Sequence, residues 1–339
     1  MRRSMWTSDG LRRPTAPNSR HLTVAGAALL AAIGWWFGPR LATAAGWRYQ
    51  VRELKPGVFA WLPEDIIEFE GDPQYVRAGN AGFVITQDGV LVVNATNSPF
   101  HAREVLYEIR QRTKEPVRYL VDTGSASDEM LGNQVFADVQ ASILATPGIQ
   151  AQIRDRGQAL VRHQAGNEEY QRRLRGIHIT PPNQTFDSTT ELSLGGQAIR
   201  VVAFAGLDAV AVDLPSVKVV FLGDLFQNQY VPRLDSVDIQ RWIEALREAE
   251  ALDAEVYVPG HGDPGGKKEL EQFRLFLEWL TQEIQTRLGQ GKTLDQTKAD
   301  LVPFKNYDWH ARELQDGLVE DLYRQLASRG SPAAAKPAR

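Results

Sequence analysis

Thr123-Gly124-Ser125-Ala126-Ser127-Asp128-Glu129 follows the apolar run Val117-Arg118-Tyr119-Leu120-Val121 and leads into Leu131-Gly132-Asn133. Two later stretches share this build. Phe221-Leu222-Gly223-Asp224 and Pro259-Gly260-His261-Gly262 each close an apolar strand pattern with glycine beside a side chain able to bind a metal. Glycine lets a strand turn abruptly into a loop. The three stretches therefore place Asp128, Glu129, Asp224 and His261 on loops at the C-terminal ends of strands.

Outward from these loops the chain alternates strand and helix patterns. Val51 to Leu62 is interrupted by Pro56-Gly57, and Gly82 to Val93 turns at Asp88-Gly89, so both read as early strand pairs. Pro99 to Arg112 carries Val105 and Ile109 at helical spacing. A helix is expected from near Met130 to Asp138, with a strand over Ala141 to Ala145 after it. Residues 147–183 are polar, rich in arginine and end at Pro181-Pro182; they read as a helical insertion or lid. Strand patterns resume over Thr189–Leu194, Ala198–Phe204, Ala209–Leu214 and Val217–Leu222, which implies a second sheet. The helix expected over Ser236–Ala251 puts Ile239, Trp242, Ile243 and Leu246 on one face. Glu255–Val258 is the last strand, and Leu270, Phe273, Leu277, Leu280 and Ile284 mark a long amphipathic helix. A helical extension is expected over 291–327 and a disordered Pro/Ala tail over 328–339.

With 339 residues and 43% hydrophobic content the chain can bury a full core. Residues 1–44 differ from the rest. Arg2, Arg3, Arg12, Arg13 and Arg20 precede an uncharged run over 22–39, and Ala42-Thr43-Ala44 offers a cleavage site, the layout of an export signal. The alternative is a membrane anchor formed by residues 22–39, with Trp35 and Trp36 at the interface. Export places the protein in the periplasm or outside the cell, and a membrane contact is expected only if the segment stays uncleaved. The formal net charge is −4 although the N-terminal segment is basic, so the remainder is acidic and a poor nucleic-acid binder. The chain has no cysteine, so any metal must be held by nitrogen and oxygen.

Together the three loop stretches resemble the metallo-β-lactamase superfamily, whose first motif reads T-H-x-H-x-D-H followed by G-G-N; Thr123, Asp128 and Leu131-Gly132-Asn133 set the register. The resemblance covers roughly residues 47–288 and implies a four-layer αββα sandwich, here over 45–290. It also implies two metal sites. For the three-histidine site the motif positions hold Gly124 and Ala126, and Gly206-Leu207-Asp208 occupies the neighbourhood of the third histidine, so all three ligands are lost. For the second site the corresponding positions hold Asp128, Glu129, Asp224 and His261, all able to coordinate, with Asp128 also the candidate catalytic base. That oxygen-rich set suits one Zn, Mn or Fe(II) ion.

Three functions follow from this reading: an exported hydrolase-like enzyme acting on a small molecule with one metal ion; a catalytically inactive pseudoenzyme that binds a small molecule or partner protein; and a redox or metal-carrying accessory protein of the periplasm, which would share the site but not the hydrolysis. A capping role for Asp128 and Glu129 at a helix start competes with metal binding. His101 and His310 fall on expected helices and His21 in the N-terminal segment, where packed or solvent-facing roles are the default; His163 and His178 lie in the insertion with no ligand-like spacing.

Overall fold

A computed structural model describes residues 49–64, 78–164, 176–234, 237–301 and 309–330. The export or anchor segment over 1–44 lies outside the described residues, as does the end of the tail over 331–339. Among the described residues no helix is long and apolar enough to cross a membrane.

The first half builds one sheet with helices on its outer face. In chain order it comprises β1 (Tyr49–Lys55), β2 (Val58–Pro63), β3 (Ala81–Ile85), β4 (Val90–Val93), α1 (Pro99–Arg112), β5 (Val117–Val121), α2 (Ser127–Met130), α3 (Asn133–Asp138), β6 (Ser142–Ala145), α4 (Pro147–Gln164) and β7 (Gln184–Thr185). These seven strands lie in sequence order, antiparallel from β1 to β4 and parallel from β4 to β7. Ser98 starts α1 by accepting a hydrogen bond from the His101 N–H, with proline in the first turn.

The second half builds the other sheet. It comprises β8 (Thr189–Leu194), β9 (Gln197–Ala203), β10 (Val210–Leu214), β11 (Val219–Gln227), α5 (Ile239–Glu250), β12 (Val256–His261), α6 (Lys267–Gly289), α7 (Leu294–Asp300) and α8 (Gln315–Gly330). The strand order is β12-β11-β10-β9-β8, with only the β11–β12 pair parallel.

Burial follows strand alternation and makes four layers. On β4, Leu91 and Val93 face the second sheet's Val201, Val212, Phe221 and Val258, whereas Val90 and Val92 face Val105 and Ile109 of α1. A strand covered on both faces reads as an unbroken apolar run, which is why Val90-Leu91-Val92-Val93 shows no polar alternation. On the far side Val220, Leu222 and Tyr257 pack against Trp242 and Leu246 of α5, Phe273 and Leu277 of α6, and Leu318 and Leu322 of α8. The αββα sandwich expected from the resemblance is the observed architecture.

Several boundaries differ from expectation, among them the last strand, which runs to His261 rather than ending at Val258. The helix expected from Met130 to Asp138 is two short helices joined at Leu131-Gly132. Helix α5 starts at Ile239, where Asp238 accepts hydrogen bonds from Gln240 N and Arg241 N. Strand β11 runs five residues past Leu222, because its pairing with β12 continues through irregular register to Gln227. Residues 328–330, expected in the tail, belong to α8, which continues to Gly330. Within 147–183, α4 is anchored by Ile149 and Ile153, both fully buried in the inter-sheet core.

Candidate functional site

Three strand ends meet at one edge of the sandwich. Strand β5 runs into Asp122 and Thr123, and the Thr123 N–H donates to Asn94 Oδ1 at 2.9 Å. Asn133, the residue that marks the motif register, donates to the fully buried Asp122 Oδ2 at 2.8 Å and so ties the loop to α3. Helix α2 then begins at Ser127, placing Asp128 and Glu129 in a first turn whose free N–H groups favour acids. On β11, Gly223 has φ 53° and pairs with Pro259 of β12; a Cβ there would collide with Thr123 Oγ1, so glycine lets the two sheets' loops meet. Asn80 secures the last loop: its Nδ2 donates to the Pro259 and Gly262 carbonyls at 3.0 and 2.8 Å, and its N–H to the Gly260 carbonyl at 2.7 Å.

This convergence brings Asp128, Asp224 and His261 together, with one ligand atom from each within 4.8 Å of the others. His261 Nε2 lies 2.7 Å from Asp128 Oδ2 and 3.9 Å from Asp224 Oδ1. Burial alone would raise the Asp128 carboxyl, but the hydrogen bond and charge of His261 outweigh it, and Arg233 adds to them; the carboxyl is held below its ordinary range. Two carboxylates and an imidazole, from helix α2, strand β11 and the end of strand β12, form a donor set that fits one divalent ion and leaves further coordination positions open; Asp224, expected on a loop, lies within β11, whose pairing with β12 continues past it, and Asp128 and Glu129 lie in the first turn of α2.

Glu129 points elsewhere. Its Oε1 lies 2.8 Å from Thr123 Oγ1 and accepts from Asn94 Nδ2 at 3.2 Å and from the Asp224 N–H at 3.4 Å, while Oε2 accepts from the Ala126 N–H at 3.3 Å. Burial pushes this carboxyl up to about 6, the Asp128 charge adding and the Thr123 hydrogen bond opposing. Its oxygens fill the space beside Gly124, where a Cβ would collide with Oε2.

The residues on the three-histidine side do not fit a metal. Gly124 and Ala126 carry no donor, and Asp208 accepts a hydrogen bond from Gln152 Nε2, whose Oε1 accepts from Ser125 Oγ at 2.5 Å. A side-chain lattice thus occupies that half. Gln152 comes from α4, 27 residues from Ser125 and 56 from Asp208, and no sequence pattern connects them. Ser125 and Asp208 stood inside the motif neighbourhoods; Gln152, Arg233 and Tyr230 carried no signal.

Both halves open onto a cavity of about 460 Å³. Arg156 and Arg233 contribute positive charge to its lining, and Leu207, Val231, Trp242 and Leu314 an apolar wall. His101 lies buried on α1, as expected of a packed residue. His310 differs from expectation: it precedes the last helices and forms an isolated bridge with Tyr230. His178 is outside the cavity lining and donates its N–H to Gln134 Oε1 at 2.6 Å; the side chain of His163 and all of His21 lie outside the described residues.

A sequence model of the metallo-beta-lactamase superfamily matches residues 148–261. No curated protein matches the chain in sequence. Among solved structures, a metallo-beta-lactamase from Pontibacter korlensis superimposes with TM-score 0.54 at 21% identity, over 68% of this chain and 99% of that one. The inverting sec-alkylsulfatase Pisa1 from Pseudomonas sp. gives TM-score 0.59 at 17% identity, over 86% of this chain and 52% of the sulfatase. The metallo-beta-lactamase TMB-1 gives 0.51 at 20% identity, over 68% and 97%. The chain therefore carries the metallo-β-lactamase fold.

Proposed function

We propose that this chain is an exported, hydrolase-like protein of the metallo-β-lactamase fold that holds one divalent ion between Asp128, Asp224 and His261 and acts on a small molecule in the adjoining cavity. The observation that carries this reading is the convergence of three donor atoms within 4.8 Å at the cavity wall. A divalent ion bound there polarises an ester or amide oxygen and makes water a better nucleophile near neutral pH. The protein's own groups do the rest. Asp128, whose carboxyl His261 holds below its ordinary range, would bind the ion as a carboxylate once Nε2 turns from Oδ2 to the ion, and is the candidate proton acceptor. Arg156 and Arg233 offer charge to an anionic substrate, and the apolar wall excludes water from one side. Because the sulfatase shares more of this chain than the lactamases do, alkyl sulfates belong beside lactams in a first substrate panel.

A second reading is favoured by a specific contact. Asp128 and His261 already satisfy each other at 2.7 Å, and Ser125, Gln152 and Asp208 are joined by hydrogen bonds on the other side of the cavity, so the pocket is also consistent with a pseudoenzyme that binds a small molecule or partner without chemistry. Elemental analysis of protein purified without chelator, paired with melting curves in EDTA and in added Zn, Mn or Fe(II), separates the two. About one ion per chain and a metal-dependent rise in Tm support the first reading. Substoichiometric metal with unchanged melting supports the second.

A further inference from the structure

We propose that the C-terminal segment Trp309–Leu314 is a strap that sets the orientation of the His261 imidazole through Tyr230, making Tyr230 a positioning residue for the cation-binding group. This rests on the one-metal reading above. The segment lies outside the sandwich strands, yet it reaches the site. Trp309 seats it on α6, with its ring centroid 4.3 Å from Phe276 and 6.4 Å from Phe273. The next residue then brackets Tyr230 by backbone: the His310 N–H donates to the Gln229 carbonyl at 2.9 Å, and the Val231 N–H donates to the His310 carbonyl at 3.1 Å.

Three rings stack as a result. The Tyr230 ring lies 4.9 Å from His261 at an interplanar angle of 24° and 5.8 Å from His310 at 22°. Tyr230 is 5% exposed and, like Leu314, lines the cavity. The backbone at both ends of the bracket is held in the left-handed region, Gln229 at φ 55° and Ala311 at φ 57°, which residues with a Cβ adopt only where the surroundings demand it. The need for a strap follows from the loop. His261 stands between Gly260 and Gly262, the latter at φ 87°, so the residues next to it in sequence bring no side chain to its ring, and contacts from other elements, Tyr230 and Asp128 among them, bear on its orientation. The Tyr230 face packs on the ring and keeps Nε2 aimed at Asp128 and Asp224. Supporting groups around metal ligands set affinity in this way.

The test uses the full chain and measures Zn²⁺ and Mn²⁺ dissociation constants by chelator competition, with melting in EDTA as a check on folding. Tyr230→Leu is expected to weaken binding by about tenfold or more, and Tyr230→Phe, which keeps the stacked face, to restore it to within about twofold of wild type. A folded Tyr230→Leu with wild-type affinity overturns the proposal. His310→Ala guards against a Tyr230 variant that fails to fold. It is expected to weaken Zn²⁺ binding by a few-fold and to shift the His261 imidazole signals in NMR spectra of the metal-free protein; neither change occurring overturns the strap. A wild type that binds neither ion refutes the metal reading itself, and the metal-free imidazole signals still decide whether the strap acts on His261.

Discussion

One stretch, residues 123–129, borders two differently furnished sides of the cavity. At Gly124 and Ala126 the chain offers no donor, and the neighbouring space is filled by the Glu129 carboxylate and the Ser125–Gln152–Asp208 lattice. Two residues on, Asp128 meets His261 and Asp224 with ligand atoms close enough to share a cation. Donor-poor and donor-rich sides are segregated in space although the residues are interleaved in sequence, and both line the cavity.

The comparison makes its largest claim about lactams. No β-lactam hydrolysis at enzyme-like rates is expected, because the half that would hold a second ion is lattice. Turnover of a chromogenic lactam at ordinary enzymatic rates would break the contrast outright. Metal content gives the next test. Asp224→Ala and His261→Ala should each reduce bound metal to background in elemental analysis, whereas Ser125→Ala and Asp208→Asn should leave it unchanged. Equal losses from both groups would mean that the two halves still function as one site.

A pH control separates the scaffold from the site. His101, buried on α1 beside Trp61 with Glu104 Oε2 3.4 Å away, is held down to about 4 by burial, against an ordinary value of 6.5. Above pH 6.5 the imidazole is neutral in folded and unfolded chains alike. As pH falls from 6.5 to 4 the unfolded chain takes up a proton that the folded chain refuses, and about 3 kcal/mol of stability is lost. Denaturant midpoints across that range should fall more steeply in wild type than in His101→Gln, the difference being the His101 contribution. Metal effects on melting are therefore best read above pH 7. The smallest effect sharpens the boundary between the two sides: Glu129→Ala should cost about 2 kcal/mol by leaving Asn94 Nδ2 and the Ala126 N–H without their acceptor, yet keep the metal. Chemical denaturation beside elemental analysis measures both quantities on one sample.

Most of the fold was legible because strands buried on both faces are apolar without interruption and turns are punctuated by Pro56-Gly57, Asp88-Gly89 and Gly195-Gly196. Gln184–Thr185 was not, since a two-residue edge strand is made by its neighbour's open hydrogen bonds rather than by its own residues. At the site, the glycines beside Asp224 and His261 marked where the chain nears the cavity, although both residues lie in strands rather than on loops, and Gly124 and Ala126 marked positions without a donor. Which way Glu129 points was not readable, because its direction is set by Asn94 and Thr123. Gln152 and Tyr230 act through contacts made only after the sheets and helices have packed.

Asp128 hangs from the first sheet, and Asp224 and His261 from the second. The 2.7 Å contact between Asp128 and His261 is therefore a rivet through the sandwich, and a shear of one sheet over the other by a single side chain's width would pull it open. A chain with only one sheet assembled has no site at all, so cation affinity doubles as a gauge of sheet alignment, and any bound ion adds its binding energy to the seam between the two sheets.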